Sequence, residues 1–510
     1  MSARLFAVLL ALTLIFRVWL AAAVPITGDE AYFIWWGWRP DWGFYDHPPM
    51  IGWWLTALLK WRDSEAWLRL PVIVQPALLA LAVAWALPHL APRLSVAQRY
   101  WMATLVLLAP VNVWNVFITT DTPLVYFSVF SGLAWLRAAQ DDDLRWYLLA
   151  GVLLAGAVLS KYFAALLGFA YLVDVLLRRR PRAVAGLALC YAATLPALAL
   201  MAWWNADHCW PNYMFNFVNR NEDAGFSLRT PPLYLVTLLY VLTPPALWLA
   251  LRRSRGAAMS FRRLASADFP AMSTLGVLAW APFVLFAGLS LVKQIGLHWL
   301  LAFVPFTLLW IALRLTPETL RRLGFFFIGF AVLHVAAIAV VSRLPLETWQ
   351  KSRMYGGIVL TVEHEAILKE LAPYRNNDWV LAMDGYSNAV TMGYNARQYF
   401  IVFGEASSHA RHDDILTDFR TLAGRNILVL RKSEPSLAEY QPYFRRVTLD
   451  SFTVRGARFW RVKGEGFDYP AYRDGILAQV KRKYYALPPW LPQTACYFCE
   501  RYFPEAACRR

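Results

Sequence analysis

The stretch LFAVLLALTLIFRVWLAAAVPITGDE, residues 5–30, decides how this chain is built: an apolar run interrupted only by Arg17 leads into the acidic pair Asp29-Glu30. Residues 5–24 have the ~20-residue length an α-helix needs to cross the ~30 Å hydrocarbon core of a bilayer, so the two carboxylates fall at a membrane surface. Outward from this segment the same signature recurs at 66–87, 100–117, 123–138, 146–160, 162–177, 183–204, 232–251, 272–291, 297–314 and 323–342. The reading is a polytopic α-helical membrane protein with about eleven transmembrane helices. Composition agrees, since 58% hydrophobic and 16% aromatic residues with a positive mean hydropathy lie outside the range of soluble domains.

Basic residues set the expected orientation, because Lys and Arg are retained on the cytoplasmic side. With the N-terminus inside, Arg178-Arg179-Arg180-Pro181-Arg182, Arg252-Arg253 with Arg255, Arg262-Arg263 and Arg321-Arg322 all fall in the cytoplasm. Of the net charge of +16, about +11 lies in those loops and about +5 follows residue 344. The charge is therefore a topology signal, and nucleic acid binding is not implied. Arg4, the apolar run and Ala21-Ala22-Ala23 also fit a cleavable secretory signal, but Arg17 interrupts the run and its removal would invert the charge pattern.

This orientation places Asp29-Glu30, Asp46-His47, Asp121, Lys161, Lys293 and His298 on the outer face. Ionisable groups at membrane depth are costly unless they face a cavity or each other, so one shared site is the expectation; the plainer reading is that helix ends collect polar residues. From about residue 345 the composition becomes mixed, which divides the chain into a membrane domain, 1–344, and an extracytoplasmic α/β domain, 345–510. In the latter, 363–371 and 413–423 read as amphipathic helices, and 379–383, 398–403, 427–430 and 446–454 as strands. The stretch from Ala486-Leu487-Pro488-Pro489 reads as irregular. Cys496 and Cys499 form a C-x-x-C with Cys508 nearby and Cys209 in an outer loop; in an oxidising compartment a structural disulfide is the default, and a redox or zinc role lacks a second ligand pair.

Four motifs carry a resemblance: Gly28-Asp29-Glu30-Ala31-Tyr32, Tyr45-Asp46-His47-Pro48-Pro49, Thr119-Thr120-Asp121-Thr122-Pro123 and Ser160-Lys161-Tyr162. In their order and topology they resemble the bacterial protein-mannosyltransferase-like, aminoarabinose-transferase-like branch of the GT-C glycosyltransferases, over roughly residues 1 to 345. The resemblance implies inverting transfer of a sugar from a polyprenyl phosphate donor to an extracytoplasmic acceptor, in the bacterial inner membrane. Lipid A or lipopolysaccharide, a protein hydroxyl and a cell-envelope glycan all suit as acceptor. In one respect the sequence departs from the aminoarabinose transferases: Asp-His stands before Pro-Pro where they have Glu-Lys, and a neutral His is a weaker phosphate partner than Lys.

The residues can be read physically for that task. Asp29 is the candidate base or positioning carboxylate for the acceptor oxygen. Glu30 either orients Asp29 or the acceptor, or caps a short helix over 31–38. Asp121 is either an active-site carboxylate, as the resemblance implies, or part of N-capping by Thr119 to Thr122. Negative charge developing on a leaving phosphate calls for a fixed cation, and Lys161, Lys293 and Arg17 are the candidates; a lone Lys161 that snorkels to the interface is the plainer reading. Asp46, His47 and His298 are candidate substrate contacts or ligands of a divalent metal, although no H-x-x-x-H or H-E-x-x-H spacing supports a metal. Aromatic residues from Trp35 to Trp54 suit interfacial helices or a groove for an isoprenoid chain or sugar. The loop 205–231 could cover the same cavity as a lid. A transporter or lipid flippase is the competing class, against which stand the clustering of ionisable groups at one face and the lack of an internal repeat.

Overall fold

The computed structural model describes residues 1–221, 224–252, 271–376, 378–492 and 495–504. The basic cluster Arg253, Arg255, Arg262 and Arg263, and Cys508, lie outside them. The apolar segments expected to span fall largely on helix, from Ala3–Ala23 through Asp121–Asp141, Leu144–Val158 and Ala164–Arg178 to Pro317–Val341, but 100–117 is broken at 108–109 and 297–314 becomes α-helical only from Val304. Fewer of these than the expected eleven qualify as crossings by length and composition: five among the described residues, or six if Thr230–Leu242 and Pro244–Leu251 count as one span. That pair is bent by 101° because Thr243 takes φ 71° ahead of Pro244-Pro245, and prolines have no N–H to continue a helix.

The described residues form two compact units. The first comprises 1–24, 62–200 and 224–342, and is the helical one. Its helices are locked by buried polar contacts as well as apolar packing. Asp174 accepts from Trp135 Nε1 at 2.9 Å and Thr274 Oγ1 at 2.7 Å and pairs with Arg178 at 2.9 Å, while Trp135 stacks on Tyr171 at 4.0 Å. A Cβ at Gly151 would run into the backbone of Cys190, so glycine is what lets helices Leu144–Val158 and Pro181–Asp207 approach there.

The second unit comprises 25–61, 201–223 and 343–510. The last division, at 342/343, falls two residues from the expected 344/345, and two earlier segments join the C-terminal domain. Its sheet has the order β2-β1-β3-β5-β4, with β1 Trp379–Met383, β2 Ile401–Val402, β3 Asn426–Arg431, β4 Phe444–Val454 and β5 Ala457–Phe467. β1 pairs in parallel with β2 and β3, and β5 runs antiparallel to β3 and β4. Alternate residues of the central strands feed two cores, Leu381, Met383, Leu428 and Leu430 on one face and Ala382, Ile427 and Val429 on the other. Burial on both faces explains why β1 and β3 read as unbroken apolar runs.

Several elements here escaped the sequence reading, among them the helices Tyr355–Val362 and Ala478–Tyr484, and Tyr497–Tyr502 within the stretch expected to be irregular. The helix Tyr386–Ala396 crosses from β1 to β2, and β5 closes a hairpin whose two-residue turn, Arg455-Gly456, has φ of 47° and 81°, the left-handed pair that matches strand twist. The single helix expected over 413–423 is instead a turn of helix, Asp413–Leu416, and a 3₁₀ turn, Phe419–Leu422. Cys209 is disulfide-bonded to Cys496, which ties the loop once read as a lid into this unit; Cys190 is free and buried.

Candidate functional site

In the second unit, the helix Gly28–Trp38 begins at Thr27, whose hydroxyl accepts from Glu30 N at 3.4 Å while Glu30 Oε2 accepts from Thr27 N at 3.0 Å. This reciprocal capping box satisfies two helix-end donors. It also separates the two neighbouring acids. Glu30 is fully buried and closes the cap, whereas Asp29 is exposed, in the first turn where a negative charge is favoured by the helix dipole. Of the two readings left open for Glu30, the capping contact is the one formed.

A residue from the C-terminal domain reaches Asp29: Tyr386 Oη donates to Asp29 Oδ1 at 3.1 Å. Burial, and then the charges of Asp29 and Asp46, push the Tyr386 phenol well above its ordinary range, so it keeps its proton. Gly28 permits this approach, because a Cβ there would overlap the hydroxyl of Ser387.

Asp46 lies in a buried turn that follows the helix. Tyr32 Oη donates to Asp46 Oδ1 at 3.2 Å, and His47 Nε2 stands 3.9 Å from Oδ2. Burial pushes the Asp46 carboxyl up to about 7; hydrogen bonds from its own backbone and from Tyr32 and the charge of Arg220 oppose that rise, and the charge of Asp29 adds to it. The turn is pinned by Asn216 Nδ2 to Asp46 O at 2.9 Å and Asn212 Nδ2 to Phe44 O at 3.0 Å. Asn212 and Asn216, within the loop 205–231 expected to cover the cavity, thus hold the turn in place.

A second brace comes from residues 411–414. His412 N donates to Tyr32 Oη at 3.3 Å and His412 Nδ1 accepts from Tyr45 N at 3.4 Å. Burial holds the imidazole neutral, lowered to about 3, which suits an acceptor role. The neighbouring Arg411 pairs with Asp414 at 2.8 Å. Tyr386 and His412 are the participants that sequence reasoning missed. Each sits at the start of an element following a strand or loop of the α/β domain, and neither residue type at that spacing signals a contact with residues some 350 positions earlier.

The aromatic run does not form an open groove. Trp36 is buried and stacks on Phe44 at 4.1 Å, Trp35 meets Tyr399 at 5.3 Å and Trp38 meets Tyr394 at 5.9 Å. These rings pack within the second unit; Trp42 and Trp61 remain exposed.

The other candidates belong to the first unit, and two of them are partners. Lys161 Nζ donates to both oxygens of Asp121, at 2.9 and 2.8 Å, and both residues are buried. The snorkelling reading of Lys161 is therefore replaced by a buried, doubly hydrogen-bonded ion pair. Capping by the threonines is also corrected, since Thr120 makes no side-chain cap to the helix Asp121–Asp141. Lys161 Nζ lies 5.5 Å from the Phe163 ring, which contacts Trp299 at 4.6 Å, beside the exposed His298. Lys293 is half-buried in the turn after helix Met272–Leu289.

Arg17 does not fit the phosphate role given to it. Its guanidinium donates to four main-chain carbonyls: Ile73 O at 2.8 Å, Val72 O at 2.5 Å, Asn115 O at 2.6 Å, and Asn112 O. A planar fork of donors here satisfies main-chain carbonyls, among them that of Val72, which Pro76 four residues on has no N–H to serve, and the residue is buried. The metal reading of Asp46, His47 and His298 meets a similar obstacle: among the described residues no group of three or more His, Cys, Asp or Glu side chains is placed to hold a metal ion.

Comparison with known proteins bears on this arrangement. Residues 46–204, which include Asp46, His47, Asp121 and Lys161, match the family described as dolichyl-phosphate-mannose-protein mannosyltransferase. A lipid A galacturonosyltransferase, RgtD, of Rhizobium johnstonii is 29% identical over 189 residues, 35% of this chain and 38% of that protein. The chain thus spans under two fifths of that relative's length. Among solved structures, ArnT from Cupriavidus metallidurans bound to undecaprenyl phosphate is similar with a TM-score of 0.62 at 15% identity, over 90% of this chain and 98% of that one. The apo form of the same protein gives 0.61 at 16% identity, over 89% and 97%. This likeness establishes a shared fold, and with the series of apolar helices it makes the chain a multi-pass membrane protein.

Proposed function

From the ArnT-like GT-C fold, we propose that this chain is a membrane glycosyltransferase that moves a sugar from a polyprenyl phosphate donor to an extracytoplasmic lipid or glycan acceptor, with inversion at the anomeric carbon. The observation that carries this reading is the state of Asp29: an exposed carboxylate at a helix start, oriented by Tyr386 Oη at 3.1 Å and flanked by a second carboxyl, Asp46.

In the proposed step the acceptor oxygen attacks the anomeric carbon while Asp29 takes its proton. The bond from that carbon to the phosphate oxygen breaks, and its electron pair leaves with the polyprenyl phosphate. A positioned base contributes roughly 10²- to 10⁴-fold. Lys161, held by Asp121, is the cation for the leaving phosphate, with Lys293 as a second; preorganised charge of this kind acts without reorganising during the reaction. Where the acceptor is itself a phosphate, Asp29 positions more than it deprotonates. The net charge of about +5 after residue 344 favours an anionic acceptor such as lipid A. The orientation proposed is an N-terminus in the cytoplasm and the α/β domain outside the inner membrane.

The test is transfer of labelled sugar from a panel of polyprenyl phosphate donors into a membrane extract by wild type and by Asp29→Asn. Label should appear with wild type and fall at least ~100-fold in the variant, with insertion unchanged. Full activity in Asp29→Asn would remove the base. No transfer by folded wild type across the panel would move the reading to a transporter.

A further inference from the structure

The α/β domain holds a cavity of about 680 Å³ that none of the roles above uses. It opens at the carboxyl ends of the parallel strands: Asp384 directly follows β1, Gly404 and Glu405 follow β2, and Arg431 ends β3. β2 lies on one side of β1 and β3 on the other, so the strand order reverses here, the position where open α/β sheets bind ligands.

The lining sets the chemistry of what would fit. The cavity's arginine is already held, because Arg431 Nε lies 3.0 Å from Asp384 Oδ2 and Nη1 donates to Tyr440 Oη at 2.6 Å, with Glu439 at 3.4 Å. Glu405 is paired with Lys483 at 2.6 Å. An anionic group entering would meet three carboxylates and no uncommitted cation among these lining residues. A saccharide hydroxyl, by contrast, donates to carboxylates, and Asp384, Glu405 and Glu439 offer them around the cavity. Tyr386 and Tyr443 add aromatic rings with polar ends, the combination that packs against a sugar ring. The volume lies in the ~300–1,000 Å³ range that holds a drug-sized molecule, more than a single monosaccharide needs.

One residue links this cavity to the chemistry: Tyr386 lines it and also hydrogen-bonds Asp29. We propose that the cavity is a saccharide-binding site that holds an uncharged, hydroxyl-rich oligosaccharide segment of the acceptor beside Asp29. The identification of that saccharide as acceptor rests on the glycosyltransferase reading; the binding site itself rests on the cavity.

The experiment uses full-length protein in detergent and, as probe, neutral hexose tetrasaccharides that carry no phosphate or acid group, followed by saturation-transfer NMR. Ala438→Trp and Ser407→Trp fill the cavity from exposed positions on its rim and leave the core untouched. Wild type should bind saturably, and each variant should bind at least tenfold more weakly with an unchanged melting temperature. In transfer assays both should raise KM for a core-bearing acceptor and leave KM for the donor as it was. Absence of binding by wild type, or equal affinity in all three proteins, overturns the site. Wild type that binds the oligosaccharide but transfers no sugar overturns the proposed function and leaves the site standing. Wild type that transfers, with variants unchanged in both assays, does the reverse.

Discussion

Replacing Asp46 by Asn removes an ionisation that the fold opposes, and the size of the effect follows from the structure. The carboxyl is buried, and its folded-state value is pushed up to about 7 from 3.8. An acid raised in the folded state binds its proton more tightly there than in the unfolded chain, so its ionisation opposes folding. Below about pH 4 both states are protonated and the penalty is absent. Between about pH 4 and 7 it grows, and above 7 it is constant. At 1.36 kcal/mol per unit the limit is about 4 kcal/mol. Asn keeps the shape and can still accept from Tyr32 Oη through its amide oxygen. The expected outcome is that Asp46→Asn matches wild type at pH 4 and is more stable at pH 8. The assay is thermal unfolding of both proteins in detergent from pH 4 to 9, read as the difference between them, since Asp413 is also raised by burial and by its neighbour Asp414 and contributes equally to both. A difference that does not change with pH would refute the reasoning.

Two other perturbations separate positioning from packing. Tyr386→Phe keeps the ring and removes only the hydrogen bond to Asp29; because Asp29 is exposed, the loss should sit near the low end of the ~1.5–3 kcal/mol range for bonds to charged groups, lowering kcat roughly tenfold with little change in KM, and an unchanged kcat would show that the contact does not orient the base. Lys161→Ala leaves the buried Asp121 carboxylate without its counter-charge and should cost about 3–5 kcal/mol, whereas Lys161→Ala with Asp121→Ala should lower the melting temperature less than the single change; a double variant at least as unstable as the single would argue that the pair does not act as a unit.

The sequence by itself determined the features that depend on local composition. Segments of ~20 apolar residues must be helical if they enter hydrocarbon, where the backbone has no other partner, and those expected are largely helical. The runs WVLAM and NILVLR are strands because only a sheet covered on both faces buries them, and Asp29 was singled out because a carboxylate after an apolar segment is conspicuous at any reading. Tertiary structure alone decided which polar residues are partners. Asp121 and Lys161 are 40 positions apart and look like two independent candidates until one ion pair joins them. Arg17 looks like a phosphate ligand until four carbonyls take its donors, and Glu30 resembles Asp29 until the capping box buries it. Residues 25–61 and 201–223 read as parts of the membrane domain by composition, yet they fold with the sheet. The contacts from Tyr386 to Asp29 and from His412 to Tyr32 span more than 350 residues. A hydrogen bond acts over about 3 Å and leaves no periodicity in the chain, so which distant phenol or imidazole comes within that reach is fixed only when the elements pack.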